Sequence, residues 1–274
     1  VMVLGMAAAT VNGEPPKAEK PVPRPEDAIA AWTAWVEHDL GVAGVPGASY
    51  AFVHDDRLLA AGGLGLADPE MATPATADTL YSICSISKLF TSIAVMQLRD
   101  TGALALDDEL AEHLPWFQAL TDAHPDDEPI TIRRALSHSA GLPRESDFPY
   151  WAGPDFPFPS ADEIRSRLAA QRTLYPSGRY FQYSNLGMTL LGEVVASRSG
   201  RSWAEAVRGG ILAPLGMDDT FTSVPEAQAT GRLAAGFAER RGSPERERLP
   251  SFDVAGVGPA AGMASSAADL AVFA

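Results

Sequence analysis

The sequence predicts an α+β protein of two lobes, and three observations carry that prediction. Two β-prone runs face each other across His54-Asp55-Asp56-Arg57, the pattern of an antiparallel hairpin. From residue 86 to about residue 220 the signals are mostly helical and are separated by Pro and Gly. Strands and helices do not alternate as βαβ units would require. At 274 residues, 46% of them hydrophobic and 20% charged, the chain can form one large domain or two lobes sharing a cleft.

Taken in order, residues 1–25 read as a segment outside the fold. Val1 to Ala9 resembles the tail of an apolar secretory segment that ends in small residues, with no basic stretch ahead of it. Pro15 to Pro25 reads as an extended Pro-rich linker. Together they predict an exported protein, periplasmic or extracellular.

Residues 26–274 are the predicted folded part. Within 26–75, Ile29, Trp32, Trp35, Val36 and Leu40 recur at helical spacing up to Gly41, and the hairpin follows. Residues 76–250 form a helical lobe. Its first helix carries Ile86, Leu89, Phe90, Ile93 and Leu98 and ends near Gly102. Further helical stretches are "DDELAEHL", "ITIRRALSH", "SADEIRSRLAAQ", "NLGMTLLGEVVASRSG" and "SWAEAVRGGIL". "ESDFPYWAGPDFPFPS" is too rich in Pro to be regular, and "ERRGSPERER" (239–248) reads as a charged, exposed loop. Residues 251–274 are a return segment, with Ser265 or Ser266 as N-cap and Leu270 and Phe273 on one apolar face.

Composition excludes some functions. A net charge of −14 and a pI near 4.7 argue against nucleic acid, whose phosphates need basic patches. No apolar run reaches the roughly 18 residues of an integral membrane span. The one cysteine, Cys84, excludes an internal disulfide framework. His38, His54, His113 and His124 form no H-x-x-x-H or similar pattern, so neither a zinc site nor another cofactor is expected. No G-x-S-x-G occurs, which argues against a nucleophile elbow.

The chemistry points to "YSICSISKLF" (81–90). Only three lysines occur against eighteen arginines, and Lys17 and Lys20 lie in the leader, so Lys88 is the single lysine of the folded part. A position needing only positive charge would be expected to carry arginine here. A base must be lysine, because burial can lower the pKa of an ammonium whereas guanidinium stays charged. Ser85 and Lys88 are i and i+3 at the expected start of an apolar helix, so both project from its first turn. Free N–H groups there can stabilise an oxyanion, and the positive end of the dipole lowers the pKa of Lys88. A serine hydroxyl needs such a base before it attacks a carbonyl. Cys84 beside it reads as packing, and His138 as a structural loop residue.

"SISK" resembles the first motif of the serine β-lactamase and penicillin-binding-protein superfamily. The branch it most resembles contains class C β-lactamases, D-Ala-D-Ala carboxypeptidases and family VIII esterases. Tyr183-Ser184-Asn185 resembles the second motif, Y-x-N, and "LSHSAGLP" (136–143), "LAPLGMDDTF" (212–221) and "PAAGMASSAADLAVF" (259–273) are similar to further family stretches. The resemblance spans about residues 26–274. It implies a β-lactamase/transpeptidase-like fold: an antiparallel sheet flanked by helices, plus a mostly helical lobe. It also implies a hydrolase that uses no metal or cofactor. Ser85 would be acylated, and Lys88 would be the base or the group holding Tyr183 as phenolate. Tyr183 would shuttle the proton and Asn185 would bind a substrate amide or carbonyl. Asn185 could equally cap the following helix, and Tyr183 could be a core residue. The Ser85 N–H would form half of an oxyanion hole. Implied substrates are a small-molecule ester, a β-lactam or a D-amino-acid peptide.

The family's third motif, K-T-G or H-x-G, normally follows "PAAGMASSAADLAVF", on one of several C-terminal strands. The resemblance therefore implies a chain lacking those strands, with an exposed two-stranded hairpin and impaired or absent activity. A non-hydrolytic penicillin-binding sensor and an inactive truncated fragment are the alternative readings.

Overall fold

The computed structural model describes residues 24–147, 150–151, 156–239 and 246–274. The leader segment, and with it the reading of export, lies at residues 1–23, outside the described residues. Among the described residues, no helix is long and apolar enough to cross a membrane.

Helix α1 (Pro25–Ala43) starts on a proline whose fixed φ suits the first helical turn. It runs three residues past the expected stop at Gly41. Space around Gly41 is open, and the helix ends only at Gly44, which takes the left-handed φ of 64° that closes a helix. Strands β1 (Gly47–His54) and β2 (Arg57–Asp68) pair antiparallel from Gly47↔Gly65 to His54↔Arg57. Asp55 and Asp56 turn the hairpin with φ of 48° and 58°, the left-handed pair that a two-residue turn requires. The hairpin is not the bare ribbon expected from sequence. β3 (Thr73–Pro74) joins β2, Trp32 of α1 meets Tyr50 and Phe52 edge-on at 5.6 and 5.0 Å, and a C-terminal helix packs on β1. Gly47 to Phe52 are half-buried as a result.

β4 (Leu80–Ser82) leads into a single 3-10 turn, Cys84–Ile86, and then α2 (Ser87–Asp100). Short helices follow: α3 (Leu110–His113), α4 (Ile132–Leu136) and α5 (Ala161–Arg167). α6 (Asn185–Ser199) lies at the centre of the hydrophobic core. Every residue from Asn185 to Val195 except Glu193 is buried, because α6 is apolar on all sides rather than on one stripe. The core gathers Phe90 and Val95 of α2 with Leu190, Leu191, Val194 and Val195 of α6.

The rest of the chain wraps this pair. α7 (Trp203–Val207) continues through a π turn into α8 (Ala213–Leu215), and α9 (Val224–Ala229) follows. Strands β5 (Gly236–Glu239) and β6 (Arg246–Leu249) pair antiparallel, so both described ends of the expected loop 239–248 lie in paired strands, while residues 240–245 lie outside the described residues. Its β6 side is held by Arg248, which donates to Asp68 and Glu70, an attachment no apolar alternation announces. α10 (Gly258–Ala261), β7 (Ala264–Ser266) and α11 (Ala267–Phe273) complete the fold, and β7 pairs with β4. Of the two candidate caps, Ser266 accepts the Asp269 N–H at 3.1 Å. The architecture is mixed helix and strand with small antiparallel sheets.

Gly192 shows how tightly the lobe closes. A Cβ there would lie 2.2 Å from Pro259 Cγ, so only glycine lets α10 rest on α6.

Candidate active site

Ser85 sits one turn ahead of where the sequence places it, in the 3-10 turn before α2 and not at the helix start itself. The turn begins on Cys84 with φ of 43°, a left-handed value costly for a residue with a Cβ. Cys84 is exposed, not packed, and its thiol lies 3.5 Å from Ser82 Oγ. Among the described residues, no backbone carbonyl accepts from the Ser85 N–H, which leaves that donor open.

Lys88 lies in the first turn of α2 and is buried, 7% exposed. Its Nζ donates to Ser85 Oγ at 3.1 Å and to the Ala260 carbonyl at 2.7 Å. Its pKa is held below the ordinary lysine value, chiefly by burial, with the Arg144 charge adding to the effect. Tyr183 and Glu145 act the other way. Burial, rather than the helix dipole invoked from sequence, is the main cause.

Tyr183 comes from the far side of the fold and completes the group. Its Oη is 2.8 Å from Ser85 Oγ. Lys88 Nζ and the Arg144 guanidinium lie 4.8 and 4.9 Å from its ring centroid, within cation–π range.

Two segments noticed in the sequence only as resemblances hold these parts. The stretch 259–266 clamps the start of α2. Pro259 O accepts from Thr91 Oγ1 at 2.7 Å, Met263 N–H donates to Ser87 Oγ at 3.0 Å, and Ile83 N–H donates to Met263 O at 2.9 Å. The stretch 138–144 runs beside 174–185 and carries Tyr183. Gln182 N–H donates to His138 O, Gly178 N–H to Ser139 O, and Asn185 N–H to Arg144 O. Gly141 is required there: its φ is 72°, and a Cβ would lie 2.0 Å from Tyr175 O.

His138 is a structural part of this seam. Its Nδ1 accepts the Ser184 N–H at 3.1 Å and its ring lies 4.6 Å from that of Tyr183. Burial and the nearby Lys88 lower its pKa, so the ring stays neutral and Nδ1 remains an acceptor.

Asn185 is the first residue of α6, and Ser184, not Asn185, is its N-cap, accepting the Gly187 N–H at 2.8 Å. The Asn185 amide instead donates Nδ2 to Glu145 Oε1 at 2.7 Å. Sequence reasoning missed Glu145, although it directly follows the quoted stretch "LSHSAGLP" and one arginine. Ala260 was missed too, because a backbone carbonyl leaves no trace in residue type.

Asp108, Glu112 and His113 bring ligand atoms within 4.8 Å of one another, a grouping that a histidine-spacing search does not detect. His113 Nε2 lies 3.0 Å from Asp108 Oδ2, which also accepts the Ala105 N–H, so the group ties a turn together.

The family model described as Beta-lactamase matches residues 32–274. The chain belongs to the beta-lactamase family. This family member is 28% identical over 235 residues to Protein flp of Staphylococcus aureus strain N315, covering 86% of itself and 46% of that relative. It thus spans less than half the length of that curated relative. Among solved structures it resembles the octameric penicillin-binding protein homologue from Pyrococcus abyssi. The TM-score there is 0.78 at 27% identity, over 89% of this chain and 55% of that one. It also resembles a beta-lactamase/D-alanine carboxypeptidase from Yersinia pestis. That TM-score is 0.73 at 26% identity, over 89% of this chain and 68% of the other.

Proposed function

We propose that Ser85 is the nucleophile of a serine hydrolase that works through an acyl-enzyme. The observation that carries this reading is one hydroxyl held 2.8 Å from Tyr183 Oη and 3.1 Å from Lys88 Nζ. In the first step the Lys88–Tyr183 pair takes the Ser85 proton while Oγ bonds to the substrate carbonyl carbon. The tetrahedral oxyanion is met by the open Ser85 N–H. Collapse breaks the bond to the leaving group, which receives the proton. Water, deprotonated by the same pair, then attacks the acyl carbon and frees Ser85. Family membership supports this class of reaction. The substrate is an ester, a β-lactam or a D-amino-acid peptide.

In this reading the aromatic segment at 148–159 would cover an apolar acyl group. Phe148 lies outside the described residues. Tyr150 is 1% exposed and belongs to the core, while Phe156 and Phe158 stack on Phe252 at 4.9 and 5.6 Å. Among the described members of this segment, Trp151, 42% exposed, is the one left to meet such a group. Trp151→Ala should therefore slow hydrolysis of longer-chain p-nitrophenyl esters and leave acetate unchanged. Equal rates for all chain lengths would refute the acyl contact.

The reading itself is tested with a fluorophosphonate, a chromogenic cephalosporin and p-nitrophenyl esters, the adduct being mapped by mass spectrometry. Label on Ser85 that disappears in Ser85→Ala is the expected result. Label elsewhere, or equal labelling of Ser85→Ala, would overturn it. Stoichiometric acylation without turnover would instead favour a penicillin-binding sensor.

A further inference from the structure

Beside the Ser85–Lys88–Tyr183 group lies a second set of bonded side chains that its chemistry has not used. Glu145 Oε1 accepts from Asn185 Nδ2 at 2.7 Å, and Glu145 Oε2 accepts from Tyr150 Oη at 2.5 Å. Arg144 Nε lies 3.4 Å from the same Oε1. Tyr150 is buried, with its pKa pushed well above the ordinary tyrosine value by burial and by Glu145, so its hydroxyl stays a donor. Asn185 is 3% exposed, and its Oδ1 is buried with no hydrogen-bond partner. A buried acceptor left unmatched is costly, and such atoms mark strain, function or a partner that arrives later.

An amide can turn over and exchange its N and O ends. Here it is prevented from doing so, because a carboxylate accepts and cannot donate. Glu145 therefore selects the orientation in which Nδ2 is engaged and Oδ1 is left as the unmatched acceptor. Glutamine at position 145 would allow either orientation.

We propose that Glu145, anchored by Tyr150, is a positioning residue for the acylation of Ser85, locking the Asn185 amide so that its Oδ1 is kept for an incoming donor. The donor is an N–H of the substrate's acyl portion. This rests on the acylation reading above. Glu145 also contributes a negative charge that opposes the lowering of the Lys88 pKa. The other charged or titratable groups facing Lys88 are Tyr183, Arg144 and His138.

Two measurements on the full chain test the two halves separately. Asn12 and Asn185 are the only asparagines, so selective 15N-asparagine labelling gives two side-chain amide pairs. The Asn185 pair should be resolved and slow to exchange. It should move towards free-amide positions in Glu145→Ala and Tyr150→Phe. Unchanged Asn185 resonances in both variants would overturn the proposal, whether or not Ser85 reacts.

The second measurement is the rate of fluorophosphonate labelling of Ser85 against pH. Glu145→Ala should lose about tenfold or more, the effect of a hydrogen bond to a charged group. Glu145→Gln should retain more of the rate and shift the limb that reports Lys88 to lower pH, whereas Tyr150→Phe should lower the rate and leave that limb in place. Rates of both Glu145 variants within twofold of the parent with an unmoved limb would refute the role, provided thermal melts show them folded. A parent whose Ser85 takes no label would refute the acylation reading instead, and the amide resonances would still decide whether Glu145 holds Asn185.

Discussion

Helices α1 and α6 are both rich in apolar residues, yet they end up in opposite environments. None of α1 is buried, and Trp35 on it is 60% exposed, whereas α6 is buried along nearly its whole length down to Val195. α6 is enclosed by α2, α4, α7 and α10, while α1 lies on the hairpin layer and its last residue, Ala43, accepts from Arg246 of β6. Hydrophobic spacing predicts that a helix forms and which stripe it would hide. It does not predict how many neighbours arrive to hide it. Lys88 lies in the first turn of α2 and Asn185 starts α6, so the candidate site is built on the enclosed pair and inherits its rigidity.

That contrast can be broken most sharply at Lys88. Lys88→Arg keeps the charge but removes a group able to release its proton, so Ser85 labelling should fall by about 100-fold or more. A labelling rate unchanged by this substitution would sever the site from the buried end of α2. A smaller but clear effect is expected at Gly192. Gly192→Ala forces a Cβ into Pro259 and should cost about 1–3 kcal/mol, read from the urea midpoint.

The seam between the enclosed helices and the surface should respond to pH through His138. Its folded pKa lies below the ordinary 6.5, so the unfolded chain binds that proton more readily. The stability of the neutral ring is full above pH 6.5 and is lost as pH falls through that value towards the folded pKa. His138→Gln should flatten this part of the stability–pH curve. The smallest effect belongs to α1. Trp35→Ser should change stability by about 0.5 kcal/mol or less, and a larger loss would show that α1 is more enclosed than its exposure suggests.

Much of this was legible before any coordinates. The Asp55-Asp56 turn, the helix after Ser85 and the helix after Asn185 all announce themselves through turn chemistry and apolar spacing. Ser85 and Lys88 were legible through spacing and lysine scarcity, and Tyr183 only through resemblance, since nothing local links residues 98 positions apart. Three of the misreadings show their physical reasons clearly. Gly41 was taken as a stop, but an exposed glycine needs no left-handed turn, and Gly44 supplies it. The β5–β6 hairpin was missed because both strands are short and β6 is charged and anchored by the Arg248 ion pairs, not by alternating apolar residues. The cause of the Lys88 shift was assigned to the helix end, which sequence can locate, instead of to burial, which depends on distant Ala260 and its neighbours.

The left-handed residue just before Ser85 has a practical consequence. Cys84 is the only cysteine in the chain and its thiol is exposed. A maleimide dye would therefore attach at one place, adjacent in sequence to Ser85, without any engineering of the protein. Its emission would sense the water around the hydroxyl, so acylation and release could be followed as a change in colour or intensity, in real time and with unmodified substrates.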